Sequence, residues 1–273
     1  MNSSSTIFSI QPERLDDLAN KYRLNYSTAS PFPHVIIDDF FPESVLNNII
    51  NEFPKPDEID WEIFAHSRAQ KLGSTSELQM GEATRLLLYQ LNSGIFINFL
   101  ERLTGIAGII PDPHFWGGGL HQIERGGYLK IHADFNRHPK LSLDRRLNLI
   151  LYLNQDWPEE YGGHLEMWNR DLSRCEQKIL PIFNRCVIFN CTSFSYHGHP
   201  EPLNCPSART RRSLAVYYYT NGQPSDEIAA PHSSRYPTRP GEKSSRSTDA
   251  IKAIFKKFIP PIAIDIKNYL KNR

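Results

Sequence analysis

Charge of one sign is what this sequence most plainly lacks: 31 Lys and Arg stand against 30 Asp and Glu, a formal net charge of +1. So balanced a chain projects no global field toward a phosphate backbone, and no nucleic-acid partner is expected. Long apolar runs are missing too; none reaches the ~20 residues of a transmembrane segment. Residues 1–22 carry neither the basic opening nor the apolar stretch of a secretory signal, which points to a cytoplasmic location. Cysteine is scarce. Cys175, Cys186, Cys191 and Cys205 form no Cys-x-x-Cys pair, so no zinc knuckle is expected and ordinary thiols are. Asn25-Tyr26-Ser27 and Asn190-Cys191-Thr192 match the glycosylation acceptor pattern, which has no consequence without secretion.

What is present is a 40% apolar chain with 20 prolines and 15 glycines, enough for one large domain. A short helical pattern lies near Pro12–Tyr22, and the β-branched run Val35–Ile37 reads as a strand. Pro42-Glu43-Ser44 opens a helix whose apolar residues Val45, Leu46, Ile49, Ile50 and Phe53 repeat at helical spacing. Residues 57–80 look loop-rich, and the stretch Lys71–Glu77 is a candidate lid. Ala83–Leu103 reads as one long helix, weakened at Gly94.

After Pro111 the texture changes to short β-rich runs punctuated by Gly, Pro, Asn and Asp. They are Gly119–Glu124, Tyr128–Asp134, Leu147–Asn154, His164–Trp168, Gln177–Ile182, Arg185–Asn190 and Ser213–Thr220. Such punctuation predicts a sandwich or jelly roll. The organisation expected is supporting elements over 1–105, a β core over 106–222, and a loop plus basic amphipathic helix over 223–273. That last helix, around Lys252–Phe258, is expected to pack on the core, or to touch a partner or anionic membrane weakly.

The sharpest local feature is Ile131-His132-Ala133-Asp134-Phe135. Residues i and i+2 of a strand share a face, so His132 and Asp134 can reach one metal ion. Imidazole and carboxylate are two parts of the facial triad of non-haem iron sites. The third ligand has to come from another strand, and Ser195-Tyr196-His197-Gly198-His199-Pro200 offers two histidines that spacing alone does not separate. Arg211-Arg212-Ser213 follows, with Arg211 and Ser213 alternating onto one face, suited to a carboxylate.

Taken together, Gly127-Tyr128-Leu129-Lys130-Ile131-His132-Ala133-Asp134, then His197, then Arg211-x-Ser213 resemble the prolyl-4-hydroxylase-like branch of the 2-oxoglutarate/Fe(II) oxygenases. Leu149–Asn154, with its Tyr-Leu-Asn, and Gly162-Gly163-His164-Leu165 look like the same branch, and Pro33–Asp38 resembles its opening strand. The resemblance covers roughly residues 117–220. It implies a double-stranded β-helix, a mainly β jelly roll of cupin type with flanking helices. It implies His132, Asp134 and His197 as iron ligands, choosing His197 over His199. It implies Arg211 and Ser213 at the distal carboxylate of 2-oxoglutarate, with Tyr128 near the co-substrate. Collagen-type members carry Lys where this chain has Arg211, so it looks more like the Arg-x-Ser members.

The implied reaction is hydroxylation of an unactivated C–H bond, using Fe(II), 2-oxoglutarate and O2, supported by L-ascorbate. The presence of Asp134 separates the chain from related halogenases, which lack the carboxylate. The implied substrate is a prolyl residue of a peptide or protein, or a small metabolite. The competing expectation is a catalytically silent jelly roll that binds a metabolite or senses 2-oxoglutarate.

Overall fold

The structure is a computed structural model and describes residues 9–225 and 227–240. The expected C-terminal helix over 249–270 lies outside the described residues. In chain order the elements are α1 (Pro12–Thr28), β1 (His34–Ile37), α2 (Glu43–Glu52), β2 (Glu62–His66), β3 (Ala69–Ser74), α3 (Glu82–Leu91) and α4 (Gly94–Thr104). Then come β4 (Ile110–Pro111), β5 (Gly119–Ile123), β6 (Tyr128–His132), β7 (Asp144–Tyr152), β8 (Leu165–Trp168), β9 (Cys175–Ile179), β10 (Cys186–Asn190), β11 (Tyr196–His199) and β12 (Arg211–Thr220).

The strands run in the order β1-β10-β7-β12-β5-β3-β6-β11-β8-β9, with β2 on β3 and β4 on β12, and the pairings are antiparallel. The sheet curls back on itself. Leu165, Met167 and Ile179 from β8 and β9 share a buried cluster with Tyr152, Val187 and Phe189 from β7 and β10. This is the jelly roll expected from the strand punctuation.

Alternation along the strands decides what faces the interior. Leu147, Leu149 and Leu151 of β7 and Leu214, Val216 and Tyr218 of β12 join the helix-side core. The intervening Asn148, Ile150, Arg211, Ser213, Ala215 and Tyr217 line a cavity inside the roll. The helices cover the outer face with Leu46, Ile49, Leu87, Leu88, Leu91, Phe96, Phe99, Leu100 and Leu103, all essentially inaccessible. Each such side chain contributes about 1.5–3 kcal/mol of burial free energy. Among the described residues no helix is long and apolar enough to cross a membrane.

Two expectations change. Residues 57–80 are not chiefly loop: β2 and β3 form a hairpin, and β3 pairs with both β5 and β6. Its strands are short and polar on the outer side, so they lack the apolar alternation that marks a strand. The single helix over Ala83–Leu103 is two. Asn92 leaves the helix to donate to the Asp112 carbonyl (2.9 Å), and the Ser93 side chain accepts from Phe96 N as the cap of α4. A capping serine competes with helix continuation at that point.

Asn184 shows how the early and late parts of the chain are tied. Its buried amide accepts from Phe41 N (2.9 Å) and donates to Phe41 O (2.7 Å). Asn184→Ala strands two buried backbone groups and should cost about 2–4 kcal/mol, read as a lower denaturant midpoint. An unchanged midpoint would remove this tie from the account.

Candidate metal and co-substrate site

His132 ends β6 and His197 sits in β11, directly opposite it in register. Their rings lie 4.5 Å apart. Each Nδ1 donates to a carbonyl two residues back, Lys130 O at 2.9 Å and Ser195 O at 2.9 Å. Those bonds fix the tautomers and turn both Nε2 lone pairs inward. Asp134, just beyond β6, places Oδ1 3.4 Å from His132 Nε2 and Oδ2 3.4 Å from His197 Nε2. Ligand atoms at neighbouring positions around one ion, each about 2.0–2.2 Å from it, lie roughly 3 Å apart. The two 3.4 Å separations come near that spacing, and all three groups offer ligand atoms within 4.8 Å of one another.

The surroundings keep Asp134 and His197 in ligand form. Burial alone would raise the Asp134 carboxyl, but Arg145 and the two histidines overcome it and hold it well below the usual range. Burial pushes the His197 imidazole down to about 4, leaving it neutral near neutral pH. Asp134 Oδ2 accepts from Arg145 Nη2 (3.0 Å) and Asn148 Nδ2 (2.7 Å). Arg145 is itself buried, with its guanidinium 3.5 Å from the centre of the Tyr217 ring. Neither the clamp by Arg145 nor the hydrogen bond from Asn148 was foreseen in the sequence. Residues three apart fall on opposite faces of a regular strand. Here a register shift between Tyr218 and Tyr219 brings Arg145 opposite Tyr219 and Asn148 opposite Tyr217, on one face.

The other end of the cavity is cationic. Arg211 is buried, donates from Nε to Gly163 O (2.9 Å) and from Nη2 to the Tyr152 hydroxyl (3.2 Å), and has no carboxylate partner among the described residues. Burial pulls its pKa down. Ser213 lies beside it on the same face, opposite Tyr152. This donor set fits a carboxylate. The glycine turn 162–163 serves it: Gly163 has φ +75°, and a Cβ there would sit 2.9 Å from Arg211 Cδ. Gly198 has a comparable role, since a Cβ would lie 2.8 Å from the Leu129 and Lys130 carbonyls, where β11 presses on β6.

The structure does not bring every expected residue to this place. Tyr128 is not among the residues lining the cavity; its hydroxyl reaches His66 O in the β2–β3 hairpin (3.4 Å). The hairpin that the sequence hid as loop supplies that alternative partner. His199 lines the cavity but is not in the metal cluster, because the strand bulges between it and His197. Arg212 points elsewhere, its Nε donating to Thr210 Oγ1 (3.2 Å). His121 and Lys71 do line the cavity. His138, by contrast, is buried against Asp112 (3.3 Å), and His164 pairs with Glu159 (2.8 Å). Trp61 packs on Phe53 in the core. Residues from the late loop cover the metal cluster: Arg235 bonds Ala133 through both backbone groups, and the Tyr236 ring stacks on His132 at 5.3 Å.

Comparison with known proteins agrees with this geometry. Residues 118–219 match the family model of the 2OG-Fe(II) oxygenase superfamily. A Pseudomonas putida prolyl-4-hydroxylase superposes with TM-score 0.51 at 16% identity, covering 77% of this chain and 99% of its own. A Trichoplax adhaerens prolyl hydroxylase, solved with a hypoxia inducible factor peptide fragment, gives 0.52 at 16%, covering 76% and 91%. The α-ketoglutarate-dependent carbocyclase SnoK from nogalamycin biosynthesis gives 0.53 at 13%, covering 89% and 93%. At these identities the structures speak for the fold. The chain carries the 2OG-Fe(II) oxygenase pattern over residues 118–219, and its fold is that of the prolyl-4-hydroxylase structures. It is a 2-oxoglutarate-dependent dioxygenase, of a class that uses iron(II) with 2-oxoglutarate and oxygen as co-substrates.

Proposed function

We propose that this enzyme hydroxylates an unactivated C–H bond, with His132, Asp134 and His197 holding iron(II) and Arg211 with Ser213 holding the distal carboxylate of 2-oxoglutarate. The observation that carries the reading is one cavity with three converging ligand atoms at one end and a buried guanidinium lacking a carboxylate at the other. Iron(II) held by His132, Asp134 and His197 would supply the redox chemistry by which 2-oxoglutarate and oxygen give succinate, carbon dioxide and the hydroxylated substrate. The protein's own part is orientation. His132 and His197 keep inward lone pairs through their carbonyl bonds. Arg145 and Asn148 hold Asp134 on Oδ2. Arg211, propped by Gly163 and Tyr152, fixes the far end of the co-substrate. Tyr236 and the strand bridge at Arg235 screen the cluster from water.

The finer reading is a prolyl 4-hydroxylase-like reaction on a peptide or protein, with a small metabolite as the other class of acceptor. Both acceptor kinds have counterparts among the structures of this fold. L-Ascorbate as supporting reductant and a cytoplasmic setting belong to the same proposal. The test supplies Fe(II), 2-oxoglutarate and ascorbate, then screens prolyl peptides, amino acids and metabolites for succinate and for a product heavier by one oxygen atom. Slow succinate formation without acceptor and a marked rise with one of them is the expected result. No succinate above the protein-free rate with any acceptor would leave the silent binding protein as the better account, a 2-oxoglutarate sensor if 2-oxoglutarate still binds.

A further inference from the structure

Lys71 is the cavity residue with no task in the chemistry above. It sits on β3, between β5 and β6, and lines the same cavity as the metal cluster. Among the described residues its ammonium has no hydrogen bond or ion pair; its one close neighbour of that kind is the Phe64 ring, 4.8 Å away. The cavity lining holds one carboxylate, Asp134, and that is already paired with Arg145. A 2-oxoglutarate dianion shared between a divalent metal and Arg211 would still leave Lys71 without a counter-charge.

Two imidazoles stand with it. His121, on β5, uses Nε2 toward Gly117 O (3.1 Å). His199 is 3% exposed, and both of its ring nitrogens lack a partner among the described residues. A buried polar ring with nothing to bond is costly unless a ligand completes it.

Lys71 and Arg211 reach the cavity from different elements, β3 and β12. Arg211 is anchored on Gly163 and Tyr152, whereas Lys71 belongs to the β2–β3 hairpin, whose outer strand is largely exposed. Burial, with help from Arg145 and Arg211, pushes the Lys71 ammonium down to about 8, so it still carries its charge near neutral pH.

We propose that the primary substrate is an anion, and that Lys71, together with the His121 and His199 rings, receives its carboxylate or phosphate group. The proposal rests on the oxygenase reading for what happens next, but the binding it describes is measured separately. Sulfate and acetate, at constant ionic strength, are titrated into protein saturated with Mn(II) and 2-oxoglutarate under anaerobic conditions, following the melting temperature. The two anions distinguish a tetrahedral from a planar headgroup. A charge-assisted contact of this kind is worth about tenfold or more in affinity. Lys71→Met should therefore weaken the apparent affinity for the preferred anion by about tenfold and leave 2-oxoglutarate affinity within about threefold. Lys71→Arg should retain the anion. Wild type and Lys71→Met responding alike, including no response from either, would overturn the proposal. So would a Lys71→Met variant that loses 2-oxoglutarate instead, which would give Lys71 to the co-substrate. Failure of the wild type to bind Mn(II) and 2-oxoglutarate at all would count against the oxygenase reading, and the metal-free titration would still report on Lys71.

Discussion

Asp134→Ala is expected to abolish metal binding and, with it, succinate formation. The carboxylate lies 3.4 Å from both imidazole nitrogens and is the one anion of the cluster. Partners merely supporting a ligand typically contribute ~10–100-fold to metal affinity, so loss of the ligand itself should exceed about a hundredfold. The same change has a second, separable effect. Arg145 is 1% exposed and its carboxylate partner is Asp134. Removing that partner leaves a buried cation uncompensated, a cost of about 3–5 kcal/mol. Asp134→Ala should thus unfold more easily even without metal. His132→Ala and His197→Ala leave the Arg145–Asp134 pair in place, so they should lose metal with a smaller stability penalty. Metal titration by calorimetry and denaturant melts of the metal-free proteins separate the two effects. Metal affinity that survives all three changes would place the ion elsewhere.

Arg211→Met should raise the KM for 2-oxoglutarate roughly a hundredfold, about 3 kcal/mol for truncating one partner of a buried charge pair. Metal affinity should not move, since Arg211 is outside the ligand cluster. Arg211→Lys keeps the charge but gives up the fork that reaches Gly163 O and Tyr152 OH together, so its KM should fall between those of the wild type and the methionine variant. Stability should respond in the opposite sense to Asp134→Ala. In the absence of co-substrate Arg211 is a desolvated cation with no carboxylate partner among the described residues. An apolar replacement of similar length then leaves the melting temperature unchanged or higher. A large fall in melting temperature together with an unaltered KM would assign Arg211 to the scaffold rather than to 2-oxoglutarate.

Much of the site could be read from spacing. His132 and Asp134 declare themselves as i and i+2 on a strand, and Arg211 with Ser213 do the same. The choice between His197 and His199 could not be made that way, because it depends on a bulge and on how Gly198 lets β11 approach the carbonyls of β6. Asn148 could be placed with Tyr152 on a strand face able to line the pocket, but Arg145 was illegible for a related reason: only a shifted register puts it on the face of Asn148, three residues away. Lys71 was hidden inside a segment that reads as loop, since a short polar hairpin offers no hydrophobic period. Nor is the sheet confined to residues 106–222, as β1 and β3 pair with β10, β5 and β6 from across the chain. Pairings between segments far apart in sequence leave no local trace in either one.

The register of His132 against His197 has a kinetic consequence. Two ligands distant along the chain become neighbours only when β11 docks on β6, and closing so long a loop is slow and occurs late in assembly. The complete ligand set is then absent from the folding transition state, and a metal bound by the native protein stabilises only what forms after it. Added metal should therefore slow unfolding in proportion to its binding free energy while leaving the folding rate nearly untouched, which stopped-flow chevrons with and without Mn(II) can resolve. A metal-accelerated folding limb would mean that these two strands meet early.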